Sequence, residues 1–252
     1  MKLERFVETW GTVIVVQAAS TGLSADELGL AVDRVEEFFY KVDKHFSTYK
    51  SDSEVSRIRR GELEVADASE NVKEVWKLCE HARELTLGAF DPWIVDGGFD
   101  PSGLVKGWAA DKCADMLVAV GAEHVQVNAA GDLALRGGWF DAAAEMIKPW
   151  SIGVVNPDNR MEVVKVYEIT DGAIATSGTY ERGAHIHDPH NGLIAIGAAS
   201  ATVVGAAGWL CDAMATAVMV GGADSARWFG QPELQGYQVF AVNRHDATAW
   251  EI

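Results

Sequence analysis

Cysteine is scarce in this chain of 252 residues, and its three cysteines, Cys79, Cys113 and Cys211, lie far apart in the sequence. An odd number of widely spaced cysteines provides neither a disulfide framework nor the paired spacing of a structural zinc site. The sequence therefore predicts free thiols and a reducing compartment.

Long apolar runs are also missing. The first residues, 1–17, carry charges at Glu4, Arg5 and Glu8 and contain no apolar core of the kind found in a signal peptide. No later stretch is long and apolar enough to cross a bilayer. We therefore expect no signal peptide, no membrane insertion and a cytoplasmic location.

Basic residues are few: 21 Lys and Arg stand against 37 Asp and Glu, which gives a formal net charge of −16. Nucleic acids and anionic membranes are bound through clustered cations, so both are disfavoured as partners. A phosphorylated ligand would have to be neutralised locally, by a few bases and backbone amides or by a bound cation.

The chain has six prolines and no proline-rich linker, low-complexity segment or short-period repeat, so we expect a single domain over 1–252. Predicted strands and helices occur in mixed order without regular βαβ alternation, which favours an α+β fold. The predicted strands are 12–17, 124–128, 133–136, 150–155, 163–169, 174–177 and 237–242. One helix is predicted after Ser24, and a separate short helix ends at Ile58. Further helices are predicted over 71–87, 108–120 and 208–220.

The last predicted helix carries two strongly polar side chains, Asp212 and Thr216, in an otherwise apolar sequence. Their i,i+4 spacing places them on one helix face. A buried carboxylate needs a partner, because burying it alone costs several kcal/mol. Asp212 either pairs with a base or a backbone group, or it binds a hard cation together with the Thr216 hydroxyl.

Residues 171–192 contain further polar groups. Thr176-Ser177-Gly178 is interpreted as a small polar turn whose amides and hydroxyls can meet phosphate oxygens. His185 and His187 would share one strand face, compatible with a metal or with surface histidines. Beside Asp188, a histidine is instead a candidate general base.

The segment 100–111 places Lys106-Gly107 at the start of a helix, but it lacks the spacing of a Walker A loop. The turn at 129–132 is similarly ambiguous, and Tyr49 and the cap at 51–53 have an ordinary structural interpretation.

Taken together and in this order, these segments resemble the FAD:protein FMN transferase family, the ApbE-type flavin transferases. The likeness extends over nearly the whole chain. The matching segments are 10–12, 46–54, 90–92, 100–111, 128–132, 176–178, 185–189 and 212–216. Trp10, where the family usually has methionine, is a departure from the pattern.

The resemblance implies an α+β fold of two similar subdomains of the tunnelling-fold type, with FAD in the cleft between them beside Mg²⁺. It implies cleavage of FAD, release of AMP and attachment of FMN by a phosphoester to a threonine or serine of an acceptor protein. An FAD pyrophosphatase and a non-enzymatic flavin-binding protein remain alternatives. Oxygen ligands would suit Mn²⁺ as well as Mg²⁺.

The resemblance also implies roles for individual residues. The metal ligands would be Asp212, Thr216 and the carbonyl of Gly103. His185 would be the general base, with Asp188 orienting it. The residues expected to contact the flavin nucleotide are Gly11, Thr12, Tyr49, Ser53, Asp100, Lys106, Asp132, Thr176, Ser177 and Gly178.

Overall fold

An open antiparallel sheet forms the centre of the molecule. The structure, a computed structural model, describes residues 1–141, 145–179 and 186–252. In this part of the chain the sheet has eight strands in the order β1-β2-β3-β4-β9-β10-β11-β12. Their bounds are Lys2–Thr9 (β1), Thr12–Ala19 (β2), His124–Ala129 (β3), Asp132–Arg136 (β4), Gly172–Gly178 (β9), Ala198–Gly205 (β10), Gln238–Asn243 (β11) and Ala249–Glu251 (β12).

Two separate ribbons leave the sheet between β4 and β9. One pairs β5 (Trp139–Asp141) with β6 (Met146–Lys148), and the other pairs β7 (Trp150–Asn156) with β8 (Asn159–Ile169). In the sequence, the two ribbons lie between two groups of four sheet strands, β1 to β4 and β9 to β12. Direct pairing of β4 with β9, from Leu133 opposite Ile174 onward, joins the groups again.

Five α-helices lie in the described residues: α1 (Ala25–Phe46), α2 (Glu54–Arg59), α3 (Glu70–Leu85), α4 (Val105–Ala119) and α5 (Gly208–Gly221). Short 3-10 helices cover Val65–Asp67, Gly222–Gly230 and Pro232–Leu234. The sequence predicted each of the five α-helices. The start of α1 is fixed by a capping box, in which Ser24 accepts from the Glu27 amide and the Glu27 carboxylate accepts from the Ser24 amide.

The two faces of the sheet are covered by different elements, and strand alternation directs side chains to each. On β4, Ala134 packs in the core shared with the helices, whereas Leu133 and Leu135 belong to a second apolar cluster. That second cluster includes Val154 and Tyr167 of the β7–β8 ribbon. The molecule therefore has three layers, with helices, sheet and ribbon, and the α+β prediction is confirmed.

One helix packs on the inner strands of each group of four: α4 contacts β3 and β4, and α5 contacts β9 and β10. The sequence did not predict β1, β5, β6, β10 and β12. The strand β10 was overlooked because its sequence, AASATVVG, is rich in small residues with weak β-propensity. All three cysteines are free and buried. Among the helices of the described residues, none combines the length and the apolar composition that a membrane span requires.

Candidate active site

The helices α4 and α5 touch through their backbones at Gly107 and Gly208. A Cβ added to Gly107 would lie 2.1 Å from the Gly208 carbonyl oxygen, and one added to Gly208 would lie 2.6 Å from the Gly107 carbonyl oxygen. Since real Cβ atoms do not approach so closely, only glycine fits at either position. This contact brings residues of 100–111 beside α5, far away in the sequence.

Asp212 and Thr216 lie on one face of α5, as their spacing predicted. Asp212 is only 3% exposed, and its Oδ2 accepts a hydrogen bond of 3.3 Å from the Gly107 amide. The Thr216 hydroxyl lies 3.2 Å from the Ser177 hydroxyl on β9. A carboxylate and two hydroxyls, all oxygen groups, thus occur together at the centre of the fold.

Gly103 lies next to these oxygens. A Cβ on Gly103 would be 2.9 Å from Thr216 Oγ1, so the loop before α4 passes directly over the threonine. Within the described residues, no backbone amide donates to the Gly103 carbonyl, because the Gly107 amide is directed to Asp212 instead. The structure therefore places Gly103, Asp212 and Thr216, the predicted set, close together. The Gly103 carbonyl oxygen can still accept an interaction.

A buried charge cluster adjoins this set. Lys106 on α4 forms an ion pair with Asp132 on β4, and its Nζ lies 4.0 Å from Asp212 Oδ2. Two carboxylates and one ammonium group therefore lie close together beside Gly103 and Thr216. Carboxylate oxygens are among the ligands that a hard cation prefers.

The chemistry of the donors also fits a hard cation. In the described residues, no group of three or more His, Cys, Asp and Glu side chains is placed to hold a metal. A cation beside Asp212 would therefore rely on hydroxyl, carbonyl and ligand oxygens as well. Mg²⁺ has this preference, since it is usually held by one or two carboxylates, waters and substrate phosphates.

The segment 176–178 is the end of strand β9. The predicted strand over 174–177 is therefore confirmed, and the interpretation of 176–178 as a turn was wrong. Thr176, Ser177 and Gly178 pair with Thr202, Ala201 and Ser200 of β10. The neighbouring strand imposes this conformation, because the two hydroxyls of Thr176 and Thr202 meet at 2.8 Å across the pair. The Ser177 hydroxyl points to the other side, toward Thr216.

Asp100 orders the loop that leads to Gly103. Its Oδ1 accepts hydrogen bonds from the Ser102 amide (3.0 Å) and the Ser102 hydroxyl (2.5 Å). Its Oδ2 lies 4.0 Å from the Arg59 guanidinium. Arg59 also donates to the Asp96 and Gly97 carbonyls. The aspartates and glycines of this segment thus form a loop that Arg59 holds against α2.

Two hairpin turns lie at the same end of the sheet as this site. Gly11 lies in the β1–β2 turn and Thr12 directly follows it, and Asp132 follows the β3–β4 turn. Pairing of Ile14 with Ala129 places these turns side by side. The structure therefore brings Gly11 and Thr12 to the end of the sheet that carries Asp132.

Tyr49 and Ser53, both predicted to contact the nucleotide, differ in their exposure. Tyr49 is 94% exposed, so its ring is not part of a formed pocket wall. Ser53 is fully buried and caps α2: its hydroxyl accepts from the Ser56 amide at 3.0 Å and donates to the Ser47 carbonyl at 2.7 Å. The ordinary structural interpretation accounts for Ser53.

The predicted general base, His185, lies outside the described residues. Asp188 lies in a tight loop, where its Oδ1 accepts from the His190 amide and its Oδ2 accepts from the Asn191 side chain. His187 forms a bridge to Ile194, and His190 packs near Gly88. The roles of His185 and Asp188 stay predictions.

Asp111 is a site residue that the sequence did not single out. Its Oδ2 accepts a 2.5 Å hydrogen bond from the Gly208 amide, the first of α5, and its Oδ1 lies 3.4 Å from the Arg136 guanidinium. Burial raises the pKa of Asp111 to about 6, although both partners oppose that shift. A signal was present, since Gly-Trp-x-x-Asp occurs at 107–111 and again at 208–212.

The fold and this arrangement can be compared with known proteins. A family model described as the ApbE family matches residues 10–96 and 95–241 of the chain. The chain belongs to the ApbE family. The matched ranges include both helices and every residue of the oxygen and charge clusters described above.

Two curated proteins that resemble this ApbE chain are both named FAD:protein FMN transferase. The protein from Vibrio cholerae is 35% identical over 133 residues, which cover 49% of this chain and 38% of that protein. The protein from Haemophilus influenzae is 29% identical over 138 residues, which cover 50% of this chain and 38% of that protein. The chain thus spans well under half the length of either relative.

Solved ApbE structures share the fold over the whole chain. The flavin transferase ApbE from Vibrio cholerae has a TM-score of 0.81 at 23% identity and covers 100% of this chain and 96% of its own. The ApbE protein from Thermotoga maritima has a TM-score of 0.82 at 22% identity, with coverages of 99% and 96%. At these identities the likeness establishes the architecture.

Proposed function

We propose that this ApbE chain is a Mg²⁺-dependent FAD:protein FMN transferase, which cleaves FAD, releases AMP and attaches FMN to a threonine or serine of an acceptor protein. The observation that carries the proposal is the meeting of Gly103, Asp212 and Thr216 beside the Lys106–Asp132 ion pair. The names of the curated relatives support the same activity.

The oxygens of Asp212, Thr216 and the Gly103 carbonyl would hold the cation. When bound, Mg²⁺ supplies neutralisation of the pyrophosphate charge that grows as AMP departs. Ser177 supports Thr216 in this role, because its hydroxyl lies 3.2 Å from the threonine hydroxyl and limits its rotation. The Gly107 amide fixes Asp212 in the same way.

The nucleotide would lie at the end of the sheet where β2, β4 and β9 begin or end. Lys106 contributes positive charge while it remains paired with Asp132, and Asp100 keeps the loop before Gly103 in place. Thr176, Ser177 and Gly178 form the end of β9 there, with the Ser177 hydroxyl directed to Thr216, and Gly11 and Thr12 lie at the adjacent turn. Tyr49 would contact the nucleotide only after moving toward it, and Ser53 would act through the cap of α2.

Transfer requires one bond to form and one to break. The acceptor hydroxyl oxygen bonds to the phosphorus nearer the riboflavin, and the bond from that phosphorus to the bridging oxygen breaks. AMP leaves with the bonding electrons. We assign removal of the hydroxyl proton to His185, with Asp188 ordering the loop that follows it.

The decisive experiment incubates the chain with FAD, Mg²⁺ and an acceptor domain that carries a threonine or serine target. Transfer yields flavin fluorescence that stays on the acceptor after denaturation, with one AMP released for each FMN attached. Free FMN with AMP would instead identify an FAD pyrophosphatase. A chain that keeps FAD bound and never releases AMP would be a flavin-binding protein.

The metal assignment has its own variants in the same assay. Asp212→Ala should abolish Mg²⁺-dependent turnover while the fold is retained, as judged by circular dichroism. Asp158→Ala is the matched control, since that aspartate lies exposed in the β7–β8 turn. Unchanged activity of Asp212→Ala would refute the metal assignment.

We also propose a cytoplasmic location. Three free, buried cysteines support it, because a reducing compartment leaves such thiols unpaired. Fractionation of the native host, with the chain followed by an antibody, tests the proposal; recovery in an extracytoplasmic fraction would contradict it.

A further inference from the structure

The contact between α4 and α5 is reciprocal. We define the α4–α5 seam as Gly107, Asp111, Gly208 and Asp212. Asp111 of α4 accepts from the Gly208 amide of α5, and Asp212 of α5 accepts from the Gly107 amide of α4. Each helix thus supplies a glycine for close approach and, four residues later, an aspartate that binds the amide of the other glycine.

We propose that Asp111 is a positioning residue for the cation site: it holds the first turn of α5 so that Asp212 and Thr216 face Gly103. The inference rests on the proposed function, which assigns a divalent cation to those three residues. Asp111 itself takes no part in binding the cation or the substrate.

The geometry supports a positioning role in three ways. First, the Asp111 carboxylate lies 2.5 Å from the Gly208 amide, one of the amides at a helix start that have no partner within the helix. Second, its other oxygen lies 3.4 Å from Arg136 on β4, so the carboxylate joins α4, α5 and the sheet. Third, Arg136 is itself held by Asp115 at 2.9 Å.

The close backbone contact makes the cation site sensitive to this attachment. At Gly107 and Gly208 no side chain separates the helices, so a shift of the α5 start is transmitted along its rigid backbone. Asp212 lies about one turn and Thr216 about two turns beyond Gly208. Mg²⁺ demands nearly ideal octahedral geometry at roughly 2.0–2.1 Å, so small displacements of these oxygens weaken binding.

The two aspartates of the seam differ in what surrounds them. Asp212 has Thr216 four residues later and Lys106 at 4.0 Å. Asp111 has Asp115 four residues later and Arg136 at 3.4 Å, so a guanidinium belonging to the chain lies at its second oxygen. Both oxygens of Asp111 therefore face donors of the protein itself, the Gly208 amide and the Arg136 guanidinium, which suits a structural attachment.

The test measures Mn²⁺ affinity by electron paramagnetic resonance in the presence of FAD, using three variants of the full chain. Asp111→Ala removes the acceptor for the Gly208 amide, whereas Asp111→Asn keeps an oxygen that can accept from it. Asp115→Ala is the matched control, because Asp115 binds Arg136 but does not touch Gly208. If Asp111→Ala does not fold, Asp111→Ser takes its place, since serine is too short to reach the amide.

Asp111→Ala should raise the Mn²⁺ dissociation constant by about tenfold or more, the range typical of residues that orient metal ligands. Asp111→Asn and Asp115→Ala should change it less than about threefold. In the transfer assay, Asp111→Ala should raise the Mg²⁺ concentration for half-maximal rate while the rate at saturating Mg²⁺ stays near that of the wild type. A residue that is important only for stability would lower the melting temperature without raising the Mg²⁺ concentration for half-maximal rate.

Unchanged Mn²⁺ affinity in Asp111→Ala would overturn the inference, as would an equal loss in Asp115→Ala. A wild-type chain that binds Mn²⁺ but transfers no FMN would refute the proposed function, while the same affinity differences would uphold the role of Asp111. A wild-type chain that binds no Mn²⁺ would overturn the metal assignment and this inference together.

Discussion

The Thr216 hydroxyl lies over Gly103 at a distance that leaves no room for a side chain there. A Cβ on residue 103 would be 2.9 Å from Thr216 Oγ1 and 3.3 Å from the Phe90 ring. The loop 86–104, which links α3 to α4, therefore meets helix α5 at a point rich in oxygen atoms. The spacing of the two segments there depends on glycine at position 103. Any added atom must displace the threonine or the loop.

Gly103→Ala should weaken Mg²⁺ binding and slow FMN transfer by at least tenfold, because the new methyl group pushes the Thr216 hydroxyl away from the carbonyl of residue 103. The Mg²⁺ dependence of the transfer rate is the measurement. Gly29→Ala is the control, since that helical glycine has open space around it and alanine is the better helix former. Equal Mg²⁺ dependence of both variants would contradict the placement of the cation.

Lys106→Met should destabilise the fold by roughly 3 kcal/mol, because it leaves the buried carboxylates of Asp132 and Asp212 without the lysine charge. Mg²⁺ should restore part of this loss, so its effect on the melting temperature should exceed that in the wild type. Lys112→Met, which removes an exposed pair with Glu74, should cost less than about 1 kcal/mol. Similar losses in both variants would argue against a buried charge cluster.

Stability should fall as the pH rises through the range from about 4 to 6, by roughly 2–3 kcal/mol from Asp111 alone. Burial raises its pKa from 3.8 to about 6, so in this range the folded chain binds more protons than the unfolded chain. The positive charge of Arg136 lowers the pKa of Asp111, and the negative charge of Asp115 raises it. Burial is the largest influence on that pKa.

Urea unfolding of the wild type and of Asp111→Asn at pH 4.5, 5.5 and 7 checks this expectation. The asparagine variant should gain stability relative to the wild type as the pH rises. Asp115→Asn, at an exposed carboxylate, should follow the wild type in parallel. Parallel curves for Asp111→Asn would show that the Asp111 carboxyl does not carry the pH dependence.

His185→Ala should retain FAD binding but slow transfer by about a hundredfold or more, the contribution typical of a general base. Fluorescence quenching of FAD and single-turnover transfer separate the two effects. His190→Ala, at an exposed histidine of the same segment, is the control. Normal transfer by His185→Ala would remove His185 from the mechanism.

The sequence predicted well those features that depend on local periodicity. The apolar pattern correctly indicated a largely buried helix α5, and the i,i+4 spacing correctly predicted that Asp212 and Thr216 share one face of it. Composition and element order predicted the α+β class, which the three-layer arrangement confirms. Caps such as Ser24 and Ser53 were visible because capping is encoded within a few residues.

Features that depend on contacts between distant segments were not predictable in this way. The local sequence of 176–178 supported both the end of a strand over 174–177 and a turn, and nothing local to it indicates that β10 pairs with it. The attachment of Asp111 to Gly208 requires two helix starts to meet, which periodicity cannot reveal. The repeated Gly-Trp-x-x-Asp pattern held that information, but only the fold shows that its two copies bind each other.

The shared hydrogen bonds of the α4–α5 seam also bear on how the molecule loosens. Since each helix start uses an acceptor on the other helix, neither first turn can fray without exposing a buried carboxylate or amide of its neighbour. The starts of α4 and α5 therefore form one cooperative unit of sub-global opening. The loop before α4 and the first turns of α5 are therefore ordered or lost in a single step.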